Sequence, residues 1–467
     1  MAELHSLDTS ILREYDIRGI FGSTLTTDTV HLIGRAFDTI MSQHQSDRDE
    51  PATVAVGYDG RLSSPELEAA LVEGLAACGL KVIRVGLGPT PMLYYATHFL
   101  ETTAGMMVTG SHNPPEFNGI KIVLEGRPFF GADIQKLGRV ASSENFVSAS
   151  GEVTDHPVIN EYVARLLQDF QGSRPLTVAW DPGNGAAGDA VRMLTDELPG
   201  RHILLNAEID GTFPAHHPDP TVETNLDQLK QTVASKHCDL GIAFDGDGDR
   251  IGVVDSQGRV LWGDQLMIIF AGEVLEELPG ATIIADVKAS QVLFDEIKRM
   301  GGKPLMCRTG HSLIKTKMAE TGAPLAGEMS GHIFFSHRYF GYDDALYAAV
   351  RLLSIVSRSP ESLAEMRDSL PAVVNTPELR FDCDDKRKFL VVDEVKERLK
   401  GVKGISVNDI DGVRVLSDDG WWLLRASNTQ PVLVARCEST DAEGLKRLKT
   451  TLTAQLQASG VDPPDFE

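Results

Sequence analysis

The chain has 467 residues, 42% of them hydrophobic and 24% charged, with a formal net charge of -23. That length exceeds what one hydrophobic core serves and predicts about three domains, at roughly 150 residues each. The acidic balance disfavours nucleic acid or an anionic membrane surface as a partner; no apolar run is long enough to span a bilayer and no basic leader precedes an apolar stretch, so a cytoplasmic protein without a signal peptide is expected.

In chain order, three strand-like runs end in a polar or small-residue cluster and lead into a helical pattern: residues 53–61, closing on Asp59-Gly60-Arg61; residues 176–185, closing on Asp181-Pro182-Gly183-Asn184; and residues 282–290, closing on Asp286-Val287-Lys288. Strand, turn and helix in repetition is the unit of an α/β sheet. Three similar α/β domains are therefore predicted, over 1–153, 154–256 and 257–369. Short, closely spaced strands follow at 405–407, 413–416, 421–425 and 432–436, with the turn Asp418-Asp419-Gly420 among them. A last helix carries Leu445, Leu448, Leu452 and Leu456 on one face. This pattern predicts a smaller C-terminal α+β domain over 370–467. The Pro-containing stretch from Ser357 to Pro377 reads equally as a hinge and as ordinary loops. The five cysteines (Cys78, Cys238, Cys307, Cys383, Cys437) are odd in number, far apart and without CxxC spacing. They exclude a disulfide framework or zinc site of the usual spacing and are expected to be buried thiols.

Two motifs carry chemistry. Thr109-Gly110-Ser111-His112-Asn113-Pro114 follows the apolar run Met106-Met107-Val108, and its serine is either a turn residue or a nucleophile. An acyl-transfer role is disfavoured: the surroundings are not a GxSxG elbow, and His112, the next residue, is poorly placed to deprotonate its neighbour. Asp245-Gly246-Asp247-Gly248-Asp249-Arg250 follows the apolar run 240–244. Three carboxylates on alternating positions, with glycines that let the backbone curl, can converge as hard oxygen ligands for Mg²⁺. An EF-hand would need Gly in place of Arg250 and an acid in place of Ser256. An Asp-x-Asp phosphatase of the haloacid dehalogenase kind would not usually carry Gly248, and a merely solvated turn would suffer carboxylate repulsion. A phosphate on Ser111 would add a fourth ligand to such a cation.

These two motifs, with Asn118-Gly119-Ile120-Lys121, Gly327-Glu328-Met329-Ser330-Gly331-His332 and Arg425-Ala426-Ser427-Asn428-Thr429, together resemble the α-D-phosphohexomutases, in particular their bacterial phosphomannomutase/phosphoglucomutase group. The match runs in order from Glu14-Tyr15-Asp16-Ile17-Arg18-Gly19 to the C-terminal domain. The resemblance implies that each of four domains gives one loop to a central cleft. It also implies that a phosphorylated Ser111 exchanges its phosphoryl group with hexose 1- and 6-phosphates through a hexose 1,6-bisphosphate. In this reading Ser111, Asp245, Asp247 and Asp249 hold Mg²⁺, and Arg18, Lys121, Arg250 and His332 surround the transferring group. Lys121, Arg18 and His332 are unranked candidates for acid/base work. Tyr15, His112, Asn113, Lys288 and His311 are similar to family positions that contact phosphate or sugar. Glu328 and Ser330 are placed to hold two adjacent sugar hydroxyls, and Arg425, Ser427, Asn428 and Thr429 to hold the non-reacting phosphate. Met329, where a Gln would suggest a phosphoglucosamine mutase, favours use of mannose and glucose phosphates. A monomer or weak oligomer is expected. The alternatives are a metal-dependent sugar-phosphate phosphatase, a hexose bisphosphate synthase, a phosphoglucosamine mutase and a silent sugar-phosphate-binding protein.

Overall fold

A computed structural model describes residues 7–44, 51–143, 145–428 and 430–466. The first sheet contains β1 (Ile17–Ile20), β2 (Thr53–Tyr58), β3 (Lys81–Leu87), β4 (Ala104–Val108), β5 (Phe117–Leu124), β6 (Arg127–Pro128) and β7 (Glu152–Asp155), in the order β1-β5-β4-β2-β3-β7 with β6 on β5. The second contains β8 (Leu176–Asp181), β9 (Gly200–Leu204), β10 (Leu240–Phe244), β11 (Ile251–Asp255) and β12 (Val260–Leu261), ordered β12-β11-β10-β8-β9. The third contains β13 (Thr282–Asp286), β14 (Lys303–Cys307), β15 (Leu325–Gly327) and β16 (Ile333–Phe335), ordered β14-β13-β15-β16.

One plan recurs in all three. A central strand (β2, β8, β13) pairs in parallel with the next strand and with the one after it (β4, β10, β15). The latter turns back into an antiparallel neighbour (β5, β11, β16). Helices connect the parallel strands, so these bury both faces, and β4 and β10 read as unbroken apolar runs because every residue in them is buried. The consequence is positional. The TGSHNP loop joins β4 to β5, the DGDGDR loop joins β10 to β11, and the GEMSGH loop joins β15 to β16, so three loops of equivalent topology open from the C-terminal ends of parallel strands.

The C-terminal domain is an antiparallel sheet of β17 (Val374–Asn375), β18 (Leu379–Asp382), β19 (Ser406–Asn408), β20 (Val413–Ser417), β21 (Gly420–Ala426) and β22 (Val432–Ser439). Gly420 sits at φ +121° in the turn between β20 and β21, a conformation that suits glycine. The helix Ala442–Ala458 packs Leu448, Leu452 and Leu456 into this domain's own core. Val287, Trp421 and Leu423 join that sheet to the third domain. The stretch from Ser357 to Pro377, which reads equally as a hinge and as loops, is partly regular structure: Leu363–Asp368 is a helix opened by a Ser362/Glu365 capping box, and Asp368 takes Arg259 Nη1 at 2.6 Å. Cys78, Cys238, Cys307 and Cys437 are buried free thiols, whereas Cys383 is partly exposed because it lies just past β18. Among the described residues no helix is long and apolar enough to cross a membrane.

Candidate active site

Ser111 adopts φ +50°, a left-handed conformation costly for a side chain with a Cβ. What imposes it is Arg61, whose side chain is fully buried. Its Nη1 donates to the carbonyls of Pro114 and Phe117 at 2.6 and 2.9 Å, and its Nη2 to those of Ser111 and Asn113 at 2.7 and 2.6 Å. One guanidinium thus gathers four carbonyls of a single loop. Asp59 balances the charge, with Nε of Arg61 3.2 Å from its Oδ2, and also accepts the Gly110 N–H at 3.0 Å and the Thr109 hydroxyl at 2.8 Å. A Cβ on Gly110 would fall 2.2 Å from the Arg61 guanidinium, so only glycine fits.

So held, Ser111 Oγ points at the second domain and lies 3.4 Å from Asp245 Oδ2. Asp245, Asp247 and Asp249 are fully buried, with ligand-capable oxygens within 4.8 Å of one another. Gly248 at φ +73° lets the loop curl, and Asp245 Oδ1 accepts the N–H groups of Asp249 and Arg250, both at 3.1 Å. The loop's outer side is gripped too: the Gly246 N–H donates to Pro218 O at 3.1 Å, and Gly246 O accepts from Ala186 N at 2.9 Å. Lys121 Nζ reaches across from β5 to Asp247 Oδ2 at 2.7 Å and Asp249 Oδ2 at 2.5 Å. Burial would lower its affinity for a proton, but those two carboxylates raise it well above the usual lysine value. Burial, Asp249 and Asp247 together push the Asp245 carboxyl well up. Asp247 Oδ1 accepts no hydrogen bond, and Asp249 Oδ1 has the His332 imidazole at 3.2 Å. Buried carboxylates with an unused oxygen fit a divalent cation that would supply the missing positive charge.

His112 corrects one expectation. The left-handed turn at Ser111 swings its ring back, and Nδ1 lies 3.3 Å from Ser111 Oγ. Burial first, then Arg250 and Arg18, hold this imidazole well below the usual histidine range, so it is neutral. Arg18, on β1, donates to Asn113 Oδ1 at 3.2 Å and pairs with Asp16.

The third domain supplies a histidine-rich wall. His332 Nδ1–H donates to Glu328 Oε2 at 2.8 Å, with Ser330 Oγ 3.2 Å from the same nitrogen. Its Nε2 lies 3.2 Å from Asp249 Oδ1 and 3.3 Å from Arg250 Nε. Burial alone would lower the imidazole, but Asp249 and Glu328 outweigh it and carry it to about 9. For Glu328 burial would raise the carboxyl; the His332 contact overrides it and takes it to about 2. Glu328 Oε1 accepts the Gly310 N–H at 2.7 Å, so both of its oxygens are held by the protein. His311 stacks on His332 with centroids 5.7 Å apart. Lys288 pairs with Glu378 Oε2 at 2.8 Å.

The fourth domain reaches this wall through a three-domain knot. Tyr15 OH donates to Thr309 O at 3.0 Å and accepts from Asn428 Nδ2 at 3.1 Å. Asp411 accepts the Thr309 N–H at 3.0 Å and holds Arg425 Nε, also at 3.0 Å. Ser427 Oγ accepts the Gln430 N–H at 3.2 Å, closing the turn. Thr429 lies outside the described residues. Sequence reasoning brought together Ser111, Lys121, the three aspartates, His332 and Glu328, all in one cluster. It missed Arg61, Thr109 and Asp411. Asp59-Gly60-Arg61 was visible as a strand end, but nothing in it announced a clamp on a loop fifty residues away.

Four family models cover the chain in succession. Residues 9–148, 160–258 and 262–374 match α/β/α domains I, II and III of phosphoglucomutase/phosphomannomutase, and 378–455 match the C-terminal domain. A phosphomannomutase/phosphoglucomutase of Pseudomonas aeruginosa is 44% identical over 98% of this chain and 97% of that protein. A phosphoglucomutase of Neisseria meningitidis is 40% identical over 96% of this chain and 97% of that one. The crystal structure of a phosphoglucomutase/phosphomannomutase family protein from Burkholderia thailandensis superposes with a TM-score of 0.90 at 41% identity, covering 97% of this chain and 98% of that one. With one serine loop, one aspartate loop, one glutamate-histidine loop and one arginine loop in the expected domains, the chain belongs to the phosphoglucomutase/phosphomannomutase family, the bacterial branch of the phosphohexomutases.

Proposed function

We propose that this phosphohexomutase exchanges the 1- and 6-phosphates of mannose and glucose by way of a phosphorylated Ser111 and a hexose 1,6-bisphosphate. Hexose phosphate interconversion is the activity its relatives share. What supports the serine's role is one arrangement: a hydroxyl held in a left-handed turn and presented 3.4 Å from Asp245, one of three clustered buried carboxylates.

Asp245, Asp247 and Asp249 are the residues that would hold Mg²⁺, with Ser111 completing the set. Bound there, Mg²⁺ supplies a Lewis acid for the transferring phosphoryl group. Phosphoryl transfer needs positioning and charge neutralisation more than covalent help. Lys121, held cationic by two aspartates, and Arg250 provide fixed positive charge at that end, and Arg18 adds a guanidinium that does not deprotonate. His332 is therefore the member of the acid/base trio suited to move a proton. Protonated beside Asp249, it can donate to a departing sugar oxygen and recover the proton in the reverse half-reaction. His112, neutral at Ser111 Oγ, steadies the serine.

The bisphosphate must present either end to Ser111, so its other phosphate needs one site that accepts both orientations. Arg425, oriented by Asp411, with Ser427, Asn428, Thr429 and Tyr15, forms that site. Glu328 and Ser330 hold sugar hydroxyls common to glucose and mannose, with Lys288 and His311 flanking them. Assays on glucose 1-phosphate and mannose 1-phosphate, primed with a hexose 1,6-bisphosphate, test the reading. The 6-phosphate should form from both without net inorganic phosphate. Stoichiometric phosphate release would support the phosphatase instead, and consumption of a second phosphoryl donor the bisphosphate synthase.

A further inference from the structure

Asp247 is held from outside its own domain. The helix Thr90–Phe99 of the first domain starts after Pro89, which has neither a capping side chain nor an N–H, and continues with Pro91, which has no N–H either. The first free donor of that helix is therefore the Thr90 N–H, and it goes to the Asp247 carbonyl at 2.8 Å. The Thr90 hydroxyl donates to Asp247 Oδ2 at 2.5 Å. Pro89 seats on the curl beside it, where a Cβ on Gly248 would fall 2.9 Å from Pro89 Cβ. Thr90 and Asp247 are both fully buried.

Two other groups of the first domain approach Asp247 Oδ2, and neither serves it alone. Lys121 Nζ divides itself between Asp247 and Asp249. Thr109 Oγ1 is 3.3 Å away but only 2.8 Å from Asp59 Oδ2, which takes its one proton. With Lys121 and Thr90 on Oδ2, the lone pairs of that oxygen are used. Oδ1, buried and without a hydrogen bond, is what remains.

We propose that Thr90 is a positioning residue for the cation: by occupying Oδ2 from the first domain, it fixes the Asp247 carboxylate so that Oδ1 is the ligand atom. A hydroxyl suits this task because it orients the carboxylate without placing further positive charge beside a dication. One domain thus aims a ligand that another carries. The inference rests on the cation-holding role given to the aspartate trio above.

The full-length protein, freed of metal, is titrated with Mn²⁺ as the probe, and the free ion is read by its EPR signal. The wild type should bind Mn²⁺, and Asp245→Asn should lose it. Thr90→Val, which removes the hydroxyl at nearly the same shape, should bind about tenfold more weakly or worse, and should need correspondingly more Mg²⁺ for half-maximal turnover. Thr90→Ser, which keeps the hydroxyl, should match the wild type. Thr90→Val that binds Mn²⁺ as tightly as the wild type, or Thr90→Ser that binds as weakly as Thr90→Val, would overturn the inference while the role of the trio stands. A wild type that binds no Mn²⁺, or an Asp245→Asn that binds it unchanged, would refute the role of the trio and the inference with it. Should Thr90→Val not fold, a crystal structure of the Mn²⁺-loaded wild type decides: the ion on Asp247 Oδ1 with Thr90 Oγ1 still on Oδ2 is expected, and the ion on Oδ2 would overturn the inference.

Discussion

At the Ser111 end of the cleft, buried charge fixes the first domain's loop, with Arg61 on four carbonyls and Asp59 on Arg61, and ties that domain to the second, with Lys121 on two aspartates. At the Arg425 end, the fourth domain meets the first through the Asn428–Tyr15 bond and meets the loop at Thr309 through Asp411. The contrast teaches a division of labour. Transfer of a phosphoryl group loses rate steeply with misplacement, and its machinery is over-determined. Recognition of the other phosphate must admit two sugar orientations, and what joins its loop to the first domain is one exchangeable hydrogen bond, the kind that a domain motion can break and remake. Buried Arg414 and Arg436, by contrast, fix the same sheet to the third domain through the carbonyls of Val287, Ala289 and Lys288.

That contrast can be broken in graded steps. Ser111→Ala should lower turnover on the order of 10⁴-fold or more while substrate still binds; kcat near the wild-type value would remove the serine from the mechanism. Arg61→Met comes next. It strands Asp59 as a buried charge and frees four loop carbonyls, so a stability loss of about 3–5 kcal/mol is expected by denaturant unfolding, with kcat falling in whatever folds. An unchanged midpoint and rate would show that the loop holds its turn without the clamp. Arg425→Ala should raise KM about 10- to 100-fold, in line with loss of a charged hydrogen bond, and do so for the 1-phosphate and the 6-phosphate alike. A rise for one alone would deny a shared phosphate site. Tyr15→Phe, which removes a single hydroxyl between three domains, should cost about 1 kcal/mol, seen as a several-fold higher KM with kcat nearly kept. A kcat loss as large as that of Ser111→Ala would place Tyr15 at the reacting end.

What the sequence made legible follows the same divide. Fully buried parallel strands read as apolar runs, and the loops after them are punctuated by glycine at positions such as Gly248, so β4, β10 and their loops were visible before the fold was known. Carboxylates at alternate positions advertise positive charge brought to them, a bound cation or a basic side chain such as Lys121. Arg61 was not legible as a clamp, because its partners lie fifty residues on and are backbone carbonyls, which carry no residue identity. Nor was Asp411, an ordinary turn acid whose meaning comes from Thr309 and Arg425 in space. His112 was discounted on chain adjacency alone; only the positive φ at Ser111 brings its ring to the hydroxyl. The helix inside the stretch from Ser357 to Pro377 was masked by the prolines that flank it.

The central claim is that Ser111 itself bears the phosphoryl group between half-reactions. Intact mass of the full-length protein after incubation with Mg²⁺ and a hexose 1,6-bisphosphate, followed by peptide mapping, addresses it directly. A gain of one phosphoryl group on the peptide that contains Ser111, absent in Ser111→Ala, is the predicted result. A phosphoryl group on another residue, or active enzyme that never acquires one, would contradict it.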